Sequence, residues 1–105
     1  MNRYCIIMTT VEKETDLQTI VAGLLKKKLA ACIQTMKINS HYTWENKLCH
    51  EDEFLILIKT TERLYPEIEN YLEKTHPYDT PEIICVPITH AFKKYTTWID
   101  EVTKL

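Results

Sequence analysis

The spacing of hydrophobic residues along the chain marks the first two elements. The stretch from Tyr4 to Thr10 is short and rich in apolar and β-branched residues, which is typical of a buried strand. A helical spacing follows, and Thr15 or Asp16 is predicted to cap that helix. The apolar residues at this spacing are Leu17, Ile20, Val21, Leu24 and Leu25. Lysines 26–28 fall in the predicted last turn, where cations favour the helix dipole.

A long hairpin is predicted next. The segment from Ala30 to Glu45 is the second strand, because apolar and polar side chains alternate in its outer half. The apolar positions there are all even-numbered: Met36, Ile38, Tyr42 and Trp44. Asn46 is placed to adopt a left-handed turn conformation, and the return strand runs from Leu48 to Thr61. The part of it from Phe54 to Ile58 is apolar on both faces, so we expect it to be central and covered on both sides.

The remaining pattern predicts a second helix, a fourth strand and a terminal helix. Thr60 or Thr61 is expected to cap the second helix, and Pro66 falls in its first turn, where proline is tolerated. The apolar face of this helix consists of Leu64, Ile68, Tyr71 and Leu72. Residues from Glu82 to Ile88 form the fourth strand. The last helix is marked by Phe92, Tyr95, Trp98, Ile99 and Val102.

The order of these elements predicts the fold class. A βαββαβ order with an added C-terminal helix indicates an α+β, ferredoxin-like sandwich. A chain of 105 residues, of which 45% are hydrophobic and 27% charged, is expected to form a single domain over 1–105.

The length of the predicted hairpin indicates association. A strand from Ala31 to Glu45 spans about 46 Å at about 3.3 Å per residue, whereas a compact domain of this length is only about 33 Å across. The hairpin must therefore project or bend. Tyr42 and Trp44 on a projecting edge predict an interface between subunits. In the alternative, the hairpin curls back and buries its own aromatic side chains.

Charge and cysteine usage exclude several classes of protein. A net charge of −2 argues against electrostatic binding of nucleic acid. No apolar run is long enough to span a membrane, and the run within residues 1–8 is too short for a signal peptide. Four cysteines without C-x-x-C or zinc-ribbon spacing predict reduced, structural thiols and a cytoplasmic location.

The candidate chemistry is that of binding rather than catalysis. Phosphate-loop, G-x-G-x-x-G and H-E-x-x-H motifs are all missing from the sequence, so we expect no enzyme activity and no required cofactor. The four histidines have no local metal-ligand spacing. The run His50 to Glu53 offers nitrogen and oxygen ligands, although such a run beside a hairpin is more often a solvated edge.

The segment from His76 to Glu82 is the stronger candidate for a site. Pro77 and Pro81 stiffen it and favour extended backbone before each proline. An imidazole with a carboxylate suits copper or zinc, and the Irving–Williams order favours copper. In the alternative, His76 makes local hydrogen bonds and Glu82 pairs with a lysine.

Three segments in the same order resemble the CutA family of divalent cation tolerance proteins. They are Leu29 to Cys32, Tyr42 to Lys47 and the segment 76–82. The resemblance implies a homotrimer in which long hairpins extend the sheets of neighbouring subunits. It also implies that three aromatic residues lie in or near those contacts: Tyr42, Trp44 and Trp98.

The resemblance also implies a function in the response to divalent metal ions. Copper-binding members use a cysteine at the end of the first strand, where this chain has Met8, and some carry a second histidine where it has Thr75. The predicted metal ligands are therefore His76, Glu82 and Met8, binding Cu(II) or another divalent cation weakly. The alternative is a PII-like trimer that senses a small molecule or acts as a protein scaffold, with no physiological metal.

Overall fold

The computed structural model describes residues 3–105, so Met1 and Asn2 of the N-terminal stretch lie outside the described residues. A short 3₁₀ turn, Glu62–Leu64, follows the third strand. The main elements are β1 (Tyr4–Val11), α1 (Glu14–Lys26), β2 (Cys32–Trp44), β3 (Lys47–Thr61), α2 (Tyr65–Thr75), β4 (Ile84–Ile88) and α3 (Lys93–Val102). The predicted order of strands and helices and the α+β class are confirmed.

One four-stranded sheet has the order β2-β3-β1-β4, and all neighbouring strands are antiparallel. The apolar strands β1 and β3 are central, as their patterns predict. β4 begins at Ile84 and not at Glu82. Residues 82 and 83 lie outside the ladder, because the pairing of β4 with β1 ends at Ile84 opposite Met8.

The core lies between one face of the sheet and the helices α1 and α2. Alternate residues of the central strands face these helices because side chains alternate across a strand. The fully buried members of this core include Cys5, Ile7, Ile20, Leu24, Ile56, Ile58, Ile68 and Leu72.

The second face of the sheet is only partly covered within one chain. α3 reaches its end, where Tyr4 Oη donates to Asp100 Oδ2 at 2.6 Å. Leu55 and Leu57 in the middle of β3 remain half-buried, and Met36 on β2 is exposed. The prediction that β3 is covered on both sides is therefore wrong for a single chain, because α1 and α2 both pack on the same face.

The predicted helix caps are also wrong. α1 begins one residue before Thr15, and its N-cap, Lys13, makes no side-chain capping bond. Thr60 is committed to β3, where it pairs with Cys5, and its Oγ1 donates to the Leu29 carbonyl at 2.6 Å. Thr61 precedes the 3₁₀ turn without a side-chain cap.

The hairpin makes the molecule elongated, with extents of 44 × 26 × 22 Å. All 13 residues of β2 pair with β3, from Cys32 opposite Lys59 to Trp44 opposite Lys47. The two residues between the strands, Glu45 and Asn46, have φ values of 50° and 63°. Left-handed backbone at both positions is typical of a type I′ hairpin turn. The sequence predicted this conformation for Asn46 alone.

A substitution at Gly23 tests the contact between α1 and α2. A Cβ at this position would overlap Tyr71 Oη and lie 2.6 Å from Tyr71 Cζ. We expect Gly23→Ala to lower the free energy of unfolding by about 1 kcal/mol, because overpacking costs about 1–3 kcal/mol and outweighs the gain in helix propensity of up to about 1 kcal/mol.

The same substitution in a Tyr71→Ala background is the control. Without the ring, Gly23→Ala is expected to stabilise the protein. Urea denaturation of the four chains measures this difference, and equal effects in both backgrounds would show that the two helices are not in contact here.

Candidate functional site

A cleft of about 600 Å³ lies between the outer half of the β2–β3 hairpin and the segment 76–82. Five carboxylates line it, and no lysine or arginine does. These carboxylates are Glu12, Glu51, Glu53, Asp79 and Glu82. A concave, negatively charged site of this kind attracts cations.

The hairpin supplies one wall of the cleft. Because side chains alternate along a strand, Ser40, Tyr42 and Trp44 share a face of the hairpin with Glu51. Tyr42 is 39% exposed and Trp44 is 48% exposed, so both rings are accessible within one chain. A hydrogen bond from Tyr42 to Glu51 is the main cause that raises the pKa of the phenol to about 12.

A short hydrogen bond joins the opposite wall to the hairpin. Tyr78 Oη donates to Glu53 Oε2 at 2.6 Å. Glu53 is only 7% exposed. Burial, followed by the bond to Glu53, raises the pKa of Tyr78, so the phenol remains a proton donor to the carboxylate. This bond ties the proline-rich segment to β3.

His76 supports the same segment from inside. Its Nε2 lies 2.9 Å from the Thr10 carbonyl, and its Nδ1 accepts from the Tyr78 N–H at 3.1 Å. Since a carbonyl only accepts, Nε2 carries the proton. The side chain is 9% exposed, and burial lowers its pKa. Both ring nitrogens of His76 therefore make hydrogen bonds. Such local hydrogen bonding is the alternative to a metal site that the sequence left open for His76.

The other two predicted metal ligands differ in their relation to the cleft. Glu82 lines the cleft, where burial and then the nearby Glu53 raise its pKa. The one ion pair found among residues 3–105 joins Lys104 to Glu67, so the lysine alternative for Glu82 is not observed. Met8 is a half-buried residue of β1 opposite Ile84 and does not line the cleft.

The predicted ligands therefore do not converge within one chain. Across the described part of the chain, no three or more His, Cys, Asp or Glu residues are arranged to hold a metal ion. Trp98 lies on α3, 38% exposed, with its ring centroid 5.6 Å from that of Tyr95, and does not line the cleft. The four cysteines are free, as predicted.

Most residues that line the cleft were not predicted from the sequence. Glu51, Glu53 and Tyr78 were not predicted as site residues, although the first two lie within an acidic run that was noted. The period of two places Glu51 and Glu53 on the face of Tyr42 once the register of the hairpin is known. That register was the missing information.

The fold and cleft define an α+β protein with a projecting hairpin and an acidic cleft that has aromatic residues in its wall. Residues 5–102 match the family model described as CutA1 divalent ion tolerance protein. The chain belongs to the CutA1 family, as its motifs predict.

Relatives at about one-third identity cover nearly the whole chain. The divalent-cation tolerance protein CutA of Thermus thermophilus is 32% identical over 99 residues, which are 93% of this chain and 96% of the relative. The crystal structure of CutA1 from Ehrlichia chaffeensis has a TM-score of 0.92 at 35% identity, covering 100% of this chain and 99% of that one.

A third relative differs in the compartment that its name gives. The structure from Archaeoglobus fulgidus has a TM-score of 0.93 at 33% identity, covering 96% of this chain and 99% of that one. It is named a periplasmic divalent cation tolerance protein. In the part of this chain that the structure describes, no helix has the length and apolar character needed to cross a membrane.

The buried state of His76 predicts how stability depends on pH. Its pKa is lowered from 6.5 in the folded protein, so the unfolded chain binds the proton at a higher pH than the folded chain does. The free energy of unfolding is therefore expected to be maintained above about pH 6.5 and to decrease as the pH falls below it.

Urea denaturation between pH 7.5 and 5 measures this effect. His76→Gln should lose less stability over that range than the parent, whereas His90→Gln, a change at an exposed histidine, should lose as much as the parent. An NMR titration that places the pKa of His76 above 6.5 would contradict the prediction.

Proposed function

We propose that this chain acts, without enzyme activity, in the response to divalent cations, binding Cu(II) or a similar ion weakly in the acidic cleft. The observation that carries the proposal is the set of five carboxylates lining the cleft without a lysine or an arginine. Membership of a family described by divalent ion tolerance supports it. No cofactor is required in this proposal.

Glu82 is the residue on which we base the metal site. It lines the cleft, and an anionic carboxylate is a good ligand for a divalent cation. His76 would have to give up its bond to Thr10 or to Tyr78 before it coordinated a metal. Since Met8 lies outside the cleft lining, the three predicted ligands support weak binding and not a preformed chelate.

We further propose that the protein is a homotrimer, with the copies meeting at the hairpin and the open face of the sheet. Exposed apolar side chains support this, because monomers rarely leave such residues clustered. They include Met36, Tyr42, Trp44, Ile84, Val86, Phe92 and Trp98. The strand order β2-β3-β1-β4 with antiparallel neighbours supports the ferredoxin-like classification.

The proposal includes no nucleic-acid or membrane partner. A net charge of −2 supports the first of these exclusions. Four free thiols support a cytoplasmic location, since disulfides are rare where thiols are kept reduced.

A second candidate function is PII-like sensing of a small organic molecule. The accessible rings of Tyr42 and Trp44 in the cleft favour it, because aromatic walls with a few charged groups are typical of small-molecule sites. A copper-binding protein loses its ligand when Glu82 is neutralised, whereas an organic ligand held by the rings would depend on Trp44.

The trimer is tested by light scattering on the purified chain. We expect about three times the mass of one chain, and Trp44→Ala should loosen the assembly and cost about 3–5 kcal/mol per site, as for a buried aromatic. Leu48→Ala is the matched control, because Leu48 is an exposed hairpin residue at 93%. A monomer at micromolar concentration would contradict the proposal.

The metal site is tested by calorimetric titration of Cu(II) into the parent and into Glu82→Gln. Neutralising the carboxylate should weaken binding, while His76→Gln should mainly lower stability. The folded state should survive chelators, since no closed set of four Cys or His ligands was found among residues 3–105. Equal affinity of Glu82→Gln and the parent would rule out the cleft as the copper site.

A further inference from the structure

Two histidines contact each other across the hairpin, outside the segment 76–82 on which the predicted metal site is based. His41 on β2 is directly opposite His50 on β3. Their rings are parallel, with centroids 4.3 Å apart and an interplanar angle of 7°. Both residues are exposed. The two histidines are nine positions apart in the sequence. Because of this separation, no local metal-ligand spacing in the sequence indicated the pair.

The next pair along the ladder places oxygen atoms beside the two rings. Asn39 is opposite Asp52, and Asn39 Nδ2 donates to Asp52 Oδ1. Because side chains alternate along each strand, these two residues share a face of the hairpin with His41 and His50. That face therefore carries two imidazoles and an adjoining carboxylate.

The two imidazoles are available as ligands, unlike that of His76. Within residues 3–105 neither the His41 ring nor the His50 ring makes a hydrogen bond, and the two rings contact each other by stacking. A neutral imidazole has one nitrogen lone pair for a metal ion. Each ring therefore keeps a donor atom free and facing solvent.

We propose that His41 and His50 form a second metal site, which chelates a divalent transition-metal ion such as Cu(II) through two imidazoles, while Asp52 adds a negative charge nearby and is not a third ligand. Imidazole is a favoured ligand of copper, zinc and nickel, and copper binds most tightly among them. The proposal does not depend on Glu82 or on the acidic cleft, although His41 also contributes to the rim of that cleft.

The rings are close enough for their nitrogen edges to reach one ion. Metal–nitrogen bonds to histidine are about 2.0–2.1 Å, so two nitrogens on one ion are at most about 4 Å apart. The ring centroids are 4.3 Å apart in a parallel stack, and because a metal bond lies in the plane of an imidazole, the two exposed side chains must rotate out of the stack to turn both nitrogens toward one ion. The hairpin ladder fixes both backbones, so little ordering is needed on binding.

Cu(II) titration of the full-length protein, followed by electron paramagnetic resonance, tests the proposal. The parent is expected to show coupling to two imidazole nitrogens. His41→Gln and His50→Gln should each lose one nitrogen and weaken binding by about tenfold or more, because the second imidazole of a chelate binds intramolecularly.

Two control variants separate this site from other copper sites. His90→Gln removes an exposed histidine outside the hairpin and should leave the spectrum unchanged. Glu82→Gln should also leave the two-nitrogen signal unchanged, even if it abolishes copper binding in the cleft. Retention of the two-nitrogen signal in either His41→Gln or His50→Gln would overturn the proposal.

Zn(II) titration of the parent gives a test that needs no variant. In NMR spectra, the ring signals of His41 and His50 should shift together at one stoichiometric equivalent, before those of His76 and His90. Shifts at His76 or His90 alone would overturn the proposal. In Asp52→Asn, both rings should still coordinate the metal ion. This substitution should lower the affinity for the metal ion less than the loss of either histidine does.

Discussion

The register of the β2–β3 hairpin is the constraint on which the rest of the molecule depends. The two left-handed residues, Glu45 and Asn46, close the turn and place Trp44 opposite Lys47. Since side chains alternate along a strand, a slip of one residue would exchange the two faces of the whole hairpin. The register thus places Tyr42 in the acidic cleft and stacks His41 on His50.

The cleft depends on a second contact that closes it. Tyr78 Oη donates to the buried Glu53, and His76 bonds the backbone of Thr10 and Tyr78. These bonds satisfy the polar groups that the segment 76–82 buries, which would otherwise cost about 1–3 kcal/mol each. His76 therefore holds the shape of the cleft, and the acidic lining gives the cleft its negative charge.

The exposed aromatic residues of the hairpin and the open face of the sheet have related structural causes. α1 and α2 cover one face only, and the long strands extend beyond the core, so a single chain leaves Trp44 and Met36 accessible. The proposed association with further copies would bury these groups. Met8 is opposite Ile84, two residues from Glu82 in the sequence, and does not line the cleft of a single chain.

The sequence by itself determined the order of strands and helices, the α+β class, the family and the turn at Asn46, because these depend on local periodicity and short motifs. It did not determine the helix caps, since Thr60 serves the strand ladder instead. Tertiary structure alone decided that both nitrogens of His76 are engaged, that Glu53 binds Tyr78, and that His41 meets His50. Each of these contacts joins residues whose proximity depends on strand register and on the path of a loop, and a one-dimensional pattern contains neither.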